Sequence, residues 1–283
     1  MKVIKSSNYF SKKSSDKIYK IITAKTSQDI GNMIGYFIKF IKLKSKEKYV
    51  GLDFEFNSSP EGKKIALFQI NLESDEKNSF IYIFYPPDLS SKQTDVLISL
   101  LTEPMIKKIL HGAESLDIPY LFKNIFINNK LRNKFCHNLF DTRYMCEFFH
   151  LENDLTNKKC KIYSLLLEMK VINQKQYDML IKNEEEMGPI YLIDIDINKL
   201  NENTMLYSAF DVLYLPELLK KFPDNFIYQN LIPEITCFNY IDRYENIFTK
   251  PFSEVINKIN NYFMKVETID QKLSIKLIDI FQL

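Results

Sequence analysis

The segment Tyr49-Val-Gly-Leu-Asp-Phe-Glu-Phe56 constrains the fold most, because it sets two acidic residues within an otherwise apolar run. The run has the length and composition of a buried β-strand. Side chains two residues apart on a strand point to the same face, so Asp53 and Glu55 leave the sheet together. Adjacent carboxylates repel each other unless a proton or a cation such as Mg²⁺ lies between them. A solvent-facing strand edge explains the pair equally well at this point.

The composition indicates a folded chain whose contact with nucleic acid has to be local. Hydrophobic residues make up 46% and aromatic residues 14% of the 283 residues, which is enough for a core. The net charge of +2 excludes an overall basic surface. No apolar run approaches the roughly 18 residues of a membrane span, and the N-terminus has no apolar signal core. We therefore expect a soluble intracellular protein without a membrane partner, and the oligomeric state stays open.

Four cysteines lie at irregular spacings, at Cys136, Cys146, Cys160 and Cys237. Such spacing predicts reduced thiols in an intracellular compartment. The alternative is a zinc site made of Cys136, Cys146, His150 and Cys160, in which Cys146 and His150 share one helix face. Small buried core residues are the more ordinary interpretation of isolated cysteines.

Hydrophobic periodicity predicts an α/β domain after a flexible segment over residues 1–17. A strand at 18–23 leads into a helix that Thr26-Ser-Gln-Asp29 caps. Three strands joined by short polar loops predict an antiparallel meander, at 49–55, 64–72 and 79–85. From residue 90 strands and helices alternate, which predicts parallel strands with helices over the sheet. Beyond residue 160 the pattern is helical, with the last helices predicted at 199–221, 230–247 and 251–281.

Two further carboxylates stand out by their context. Asp117 lies in His111-Gly-Ala-Glu-Ser-Leu-Asp-Ile-Pro-Tyr-Leu121, after a short apolar strand and at the start of a helix. Asp211 lies in a helical run four residues after Tyr207, so the two side chains share a helix face. Taken singly, Asp117 is explained by a favourable helix N-terminus and Asp211 by a solvated face.

Taken together, these segments resemble the three motifs of the DEDD 3′–5′ exonuclease superfamily. The motifs are Leu52-Asp-Phe-Glu55, His111-Gly-Ala113 leading to Asp117, and Tyr207-x-x-x-Asp211. The tyrosine four residues before the last aspartate is typical of the DEDDy branch, which includes ribonuclease D and the Werner-type exonuclease domain. Smaller matches lie at Tyr19–Thr23, Leu67–Ile70 and Asn138–Thr142, and the resemblance covers residues 18–221.

The resemblance implies a ribonuclease H-like mixed sheet flanked by helices over residues 18–222, followed by a small helical extension at 223–283. It implies a 3′–5′ exonuclease that releases nucleoside 5′-monophosphates from single-stranded RNA or DNA, RNA slightly favoured, with two divalent cations, Mg²⁺ or Mn²⁺.

In such an enzyme Asp53, Glu55 and Asp211 would hold the ion that activates water. Asp53 would bridge to a second ion that Asp117 supports, and Tyr207 would orient the water. The aromatic side chains near these acids are the candidates for contact with the substrate, namely Phe54, Phe56, His111 and Tyr120. Lysines at 42–48 and 158–161 are candidates for phosphate contacts, although solvated faces explain them equally well.

Three departures from the family pattern bear on catalysis. Leu116 adds one residue before Asp117, and Glu114 is the alternative acid for this motif. The chain has no Trp, and Ile193–Ile197 replaces an Arg-Pro-Leu element. The segment 223–283 is short for a helical nucleic-acid-binding domain. The alternatives are therefore a non-catalytic nucleic-acid-binding module and a phosphodiesterase that acts on a small nucleotide.

Overall fold

The computed structural model describes residues 1–11, 17–155, 158–188 and 193–245, and the helix predicted at 251–281 lies outside these ranges. A seven-stranded sheet forms the centre of the fold. In chain order its strands are β1 Lys2–Lys5, β2 Ile18–Ala24, β3 Lys48–Ser59, β4 Gly62–Ser74, β5 Asn78–Phe84, β6 Ile106–Leu110 and β7 Leu139–Asp141. Their spatial order is β1-β2-β5-β4-β3-β6-β7.

The pairing of these strands confirms the predicted mixed sheet. The three central strands β3, β4 and β5 pair antiparallel, as a meander. The strands β6 and β7 extend the sheet from β3 in parallel, and β2 pairs in parallel with β5 on the other side. The fold is therefore the ribonuclease H-like α/β arrangement that the resemblance implies.

Helices cover the sheet and close its core. They are α1 Ser6–Tyr9, α2 Ser27–Lys42, α3 Ser91–Leu101, α4 Asp117–Asn124, α5 Asn129–Cys136, α6 Thr142–Glu152, α7 Ile162–Glu168, α8 Gln174–Met187, α9 Glu202–Leu213, α10 Leu215–Leu219 and α11 Ile232–Glu245. The predicted capping box begins α2, because the Thr26 hydroxyl accepts from the Asp29 N–H and the Asp29 carboxylate accepts from the Thr26 N–H. Within the described ranges, no helix combines the length and apolarity needed to cross a bilayer.

Two helical predictions differ from the structure. The single helix predicted at 199–221 is divided into a 3₁₀ turn at Ile197–Lys199 and the helices α9 and α10. The division falls at Tyr214, directly before α10, whose second residue is Pro216, a residue that suits the start of a helix and interrupts its interior. The helix α5 was not predicted, because apolar residues occupy only three of its eight positions, Leu131, Phe135 and Cys136.

The prediction of a flexible segment over residues 1–17 is wrong for residues 2–9, whereas residues 12–16 lie outside the described ranges. Strand β1 pairs antiparallel with β2 at the edge of the sheet. Ile4 points into the core and is only 4% exposed. A four-residue strand flanked by lysines is an ordinary way to end a sheet, but it is too short for a period-two pattern to reveal.

The expectation of four reduced cysteines is wrong for one pair. Cys146 and Cys160 form a disulfide with a Cα–Cα distance of 5.9 Å. Cys136 and Cys237 are free thiols that lie together elsewhere, and the Cys237 thiol donates to the Cys136 carbonyl over 2.7 Å. Cys136 is therefore not part of the cluster around His150 that the zinc alternative assumed.

Candidate active site

Three carboxylates converge where β3 meets α9. Asp53 and Glu55 share one face of β3, as strand alternation requires. Asp211 reaches the same place from α9, and one oxygen from each of the three side chains lies within 4.8 Å of the others. The strand and the helix are far apart in sequence, so only the packing of α9 against the sheet assembles this group.

Close contact between backbones holds α9 against β3. Gly51 lies two residues before Asp53, and a Cβ built on it would lie 2.9 Å from the Val212 carbonyl oxygen. That oxygen belongs to backbone and cannot move aside cheaply, so any side chain at position 51 would push the helix away. Asn71 strengthens the contact from β4, because its side-chain amide donates to the Val212 carbonyl over 3.1 Å. Since Val212 follows Asp211 directly, these contacts set the position of the Asp211 carboxylate.

Burial disfavours the ionised forms of all three acids, and repulsion by neighbouring carboxylates adds to this effect at Glu55 and Asp211. Burial raises the pKa of Asp53 to about 7. The pKa of Glu55 is raised well above its ordinary value by burial and by the charges of Asp53 and Asp211. The pKa of Asp211 is raised in the same way by burial and by Asp53. The group therefore requires a bound proton or cation at neutral pH.

Asp117 is the fourth acid and stands beside this group. It is the first residue of α4, and its pKa is raised by burial and by the charges of Asp53 and Asp141. The extra residue, Leu116, is 37% exposed, so the loop accommodates it at the protein surface. The alternative acid Glu114 is directed elsewhere, because it accepts from the Tyr144 hydroxyl and pairs with Arg143.

Two tyrosines contact or face Asp211. Tyr207 lies one helical turn before it on α9, and its pKa is raised by the charge of Asp211 and by burial, so its hydroxyl stays protonated. Tyr163 on α7 donates a hydrogen bond of 3.1 Å to Asp211 Oδ1. Tyr163 was not predicted as a site residue, because no spacing in the sequence links α7 to the acidic motifs.

Asp141 orders the loop between β6 and α4, and it was also missed as a functional candidate. Its buried carboxylate accepts hydrogen bonds from the N–H groups of Gly112, Ala113 and Arg143 over 2.8–3.1 Å. The hydroxyl of Tyr240, from α11, donates to it as well. Gly112 adopts a φ of +72°, which other residues rarely adopt. The loop that leads to Asp117 is therefore built around this carboxylate.

His111 holds the same loop from the other side. Its Nε2 donates to the Cys160 carbonyl and its Nδ1 lies 2.9 Å from the Thr142 hydroxyl oxygen. Burial lowers the pKa of His111, which favours the neutral ring. Both ring nitrogens thus bond to protein, so we assign His111 a positioning role in place of the expected substrate contact.

The predicted aromatic residues of β3 and α4 form one contact group and differ in exposure. Phe54 is only 5% exposed and stacks on Phe68 with ring centroids 4.1 Å apart, and its ring also lies 5.9 Å from Tyr120. Its predicted contact with the substrate stays a prediction. Phe54 alternates with Asp53 along β3 and therefore faces away from the acids. Phe56 and Tyr120 are partly exposed and contact each other edge to face at 6.0 Å. These two rings are the more exposed candidates for substrate contact.

The segment that replaces the Arg-Pro-Leu element is bound to the end of β3. The side-chain amide of Asn57 donates to the Ile195 carbonyl over 2.8 Å, and its oxygen accepts from the Ile195 N–H over 2.9 Å. Ile195 and Ile197 are each 5% exposed. This segment thus forms an ordered wall two residues beyond Glu55.

The donor set suits hard divalent cations. Carboxylate oxygens are the preferred protein ligands of Mg²⁺ and Mn²⁺. The pKa values of the three acids are raised although Asp211 accepts a hydrogen bond from Tyr163, so the protein's own contacts do not offset the burial of these carboxylates. The residues present therefore fit the ions that the resemblance implies.

Comparison with known proteins agrees with this geometry. A family model described as 3′–5′ exonuclease matches residues 36–226. The chain is 32% identical over 295 aligned positions to the uncharacterized protein L533 of Acanthamoeba polyphaga mimivirus, an alignment that covers 93% of this chain and 56% of that protein. The chain thus spans about half the length of this curated relative.

Solved structures show the same fold. RNase D of Trypanosoma brucei in complex with GMP superposes with a TM-score of 0.57 at 14% identity, covering 80% of this chain and 64% of that one. The same enzyme in complex with RNA U12 gives a TM-score of 0.54 at 15% identity, covering 80% of this chain and 70% of that one. With the acids placed as described, the chain belongs to the 3′–5′ exonuclease family, and its motifs are of the DEDD type.

Proposed function

We propose that this protein is a metal-dependent 3′–5′ exonuclease that removes nucleoside 5′-monophosphates from the 3′ end of single-stranded nucleic acid. The observation that carries the proposal is the convergence of Asp53, Glu55 and Asp211 within 4.8 Å, with Asp117 beside them. Membership of the family and the RNase D-like fold support it. RNA is the slightly favoured substrate.

The four carboxylates would hold two divalent cations, Mg²⁺ or Mn²⁺. Such ions supply an activated water and stabilise negative charge on the leaving 3′ oxygen. Asp53, Glu55 and Asp211 would hold the first ion, and Asp117 would join Asp53 in holding the second; the convergence of the first three acids and the charge that Asp53 exerts on Asp117 support this assignment. Because Asp211 is held by Tyr163 and by the packing of α9, its carboxylate is oriented before any substrate arrives.

Tyr207 is assigned the positioning of the attacking water. Its hydroxyl stays protonated next to Asp211, so it can donate one hydrogen bond and accept another without ionising. A positioning role of this kind contributes through geometry and not through proton transfer.

Contact with the substrate is assigned to the cleft beside these acids. Phe56 and Tyr120 offer aromatic rings on which the terminal bases can stack. Binding by stacking tolerates any base sequence, because every base has an aromatic face. The segment around Ile195 contacts the C-terminal end of β3 through Asn57 and borders the acidic group on that side. The lysines at 42–48 run from the end of α2 to the first residue of β3, and Lys158 of the group at 158–161 is paired with Glu168. Neither group is assigned to phosphate contact.

The test is a denaturing gel of 5′-labelled single strands of RNA and DNA, incubated with Mg²⁺, with Mn²⁺ or with EDTA. The proposal predicts products that shorten from the 3′ end and that require the metal. Asp53→Ala should abolish the ladder. The matched control is Asp95→Ala, which removes an exposed acid on α3. A 3′-phosphorylated strand should resist degradation.

The alternative is a nucleic-acid-binding module without catalysis. The position of Asp117 outside the 4.8 Å group is the observation that favours it, because a second ion would then be held weakly. Under this alternative, strands stay intact with every metal while a native gel shows a shifted band. That result would refute the exonuclease proposal.

A further inference from the structure

A second cluster of potential metal ligands lies outside the acidic site. Cys146 and His150 share one face of α6, four residues apart, and Cys160 lies just before α7. His150 Nδ1 is 3.8 Å from the Cys146 sulfur and 3.6 Å from the Cys160 sulfur. Within the described ranges, this is the group in which thiol and imidazole ligand atoms come together, all within 4.8 Å.

The surroundings of His150 fix which ring nitrogen can bind a metal. Its Nε2 lies 2.9 Å from Glu168 Oε2, and Lys158 binds the other oxygen of that carboxylate over 2.7 Å. A carboxylate accepts only, so Nε2 carries the proton and Nδ1 keeps its lone pair. The Cys160 sulfur lies 3.6 Å from Nδ1, whereas the Cys146 sulfur lies about equally far from both ring nitrogens, at 3.7 Å from Nε2 and 3.8 Å from Nδ1. A carboxylate on the outer nitrogen of a ligating histidine is the usual arrangement in zinc sites.

A disulfide alone does not require this arrangement. His150 is only 3% exposed, and burying an imidazole costs free energy unless the ring has polar partners. A disulfide packs equally well against an apolar side chain, so it does not explain a buried histidine with a carboxylate partner. The donor set of two thiolates and one imidazole selects a soft or borderline cation, in contrast to the oxygen set around Asp53.

We propose that Cys146, Cys160 and His150 Nδ1 form a Zn²⁺ site when the disulfide is reduced. A dithiol reductant breaks the sulfur–sulfur bond, transfers two electrons and becomes a disulfide itself, and its two protons pass to Cys146 and Cys160. Zn²⁺ then displaces these two protons to solvent and binds both thiolates and the imidazole. The fourth position is filled by water.

The site is connected to the catalytic loop through one residue. The carbonyl of Cys160 accepts the hydrogen bond from His111, and Tyr163, which binds Asp211, lies three residues later. Either the metal or the disulfide therefore ties α6 to the segment that orients the loop before Asp117. Reduced and metal-free protein lacks both ties.

The test uses the full chain, reduced with a dithiol, freed of reductant and metal without air, and titrated with Co²⁺ alone. Thiolate ligands give a charge-transfer band that carboxylates do not give, so ions at the acidic site do not interfere. We expect a band that saturates at one equivalent, that Zn²⁺ bleaches, and that oxidised protein lacks. The Asp53→Ala variant should keep the band, which separates this test from the exonuclease proposal.

Four variants distinguish the site from unspecific thiol binding. Cys160→Ser should lose most of the band, whereas Cys237→Ser, which alters a free thiol outside the cluster, should keep it. Glu168→Gln keeps all three ligands and should lower the Zn²⁺ affinity by about 10- to 100-fold. If reduced protein with titrated free thiols gives no charge-transfer band, or if Cys160→Ser and His150→Gln both retain it, the proposal is overturned.

Discussion

Replacing Asp53 with Asn should stabilise the metal-free protein at neutral pH and abolish hydrolysis at the same time. The reason is that burial raises the pKa of Asp53 from 3.8 to about 7. A carboxyl with a raised pKa in the folded state favours folding most at low pH, and this advantage is lost as the pH rises from 4 through 7. Asn keeps the shape of the side chain and removes the titration.

The size of the effect follows from the shift in pKa. A shift of about 3 units corresponds to about 4 kcal/mol at 1.36 kcal/mol per unit, which is an upper limit. Asp53 is partly exposed, and solvent screens its charge, so the effect is smaller than this limit. We therefore expect Asp53→Asn to unfold with a free energy about 2 kcal/mol larger in EDTA at pH 8, which raises the Tm by about 4–8 °C.

Thermal unfolding in EDTA at pH 4 and pH 8, and at pH 8 with Mg²⁺, measures the effect. At pH 4 the variant and the wild type should unfold at similar temperatures. With Mg²⁺ at 100 times its Kd the wild type gains about 2.7 kcal/mol, so the order of the two proteins should reverse. If the variant is less stable than the wild type in EDTA at pH 8, Asp53 is compensated by protein contacts and the electrostatic reasoning is wrong.

Three further substitutions test how the site is held. Gly51→Ala should lower activity and should lower the free energy of unfolding by about 1–3 kcal/mol, because the new Cβ would meet the Val212 carbonyl oxygen. Chemical denaturation measures the loss, and unchanged stability would contradict the close approach of α9 to β3. Tyr163→Phe should lower kcat about tenfold with little change in KM, because it removes one hydrogen bond to Asp211. An unchanged kcat would show that catalysis does not need this bond. Asp141→Asn should lower the free energy of unfolding by about 3 kcal/mol and also lower activity. The reason is that an Asn side chain accepts fewer of the hydrogen bonds that the loop and Tyr240 donate to Asp141. Calorimetry of the variant and of the wild-type protein measures the difference.

The acidic group was the part of the site that local pattern could predict. Strand alternation places Asp53 and Glu55 on one face, and helical spacing places Tyr207 beside Asp211. The same alternation places Phe54 on the face opposite the acids, where it stacks on Phe68. It does not fix the face of Phe56, because the register of β3 shifts between Glu55 and Phe56.

The supporting residues could not be predicted, because their contacts join elements that are distant in sequence. Tyr163 meets Asp211 across 48 residues, and Tyr240 meets Asp141 across 99 residues. Likewise the disulfide between Cys146 and Cys160 depends on the turn between α6 and α7, which spacing alone does not define. In each case the sequence identifies the residue type, and only tertiary packing supplies the partner.

The central claim is that water cleaves the terminal phosphodiester bond from the 3′ end. Mass spectrometry of the first products, formed from a single strand with Mg²⁺ in ¹⁸O-labelled water, tests it most directly. We expect nucleoside 5′-monophosphates whose phosphate carries one ¹⁸O atom, and none from Asp53→Ala. Short oligonucleotides released from the 3′ end, nucleoside 3′-monophosphates, or an intact strand under these conditions would contradict this mechanism.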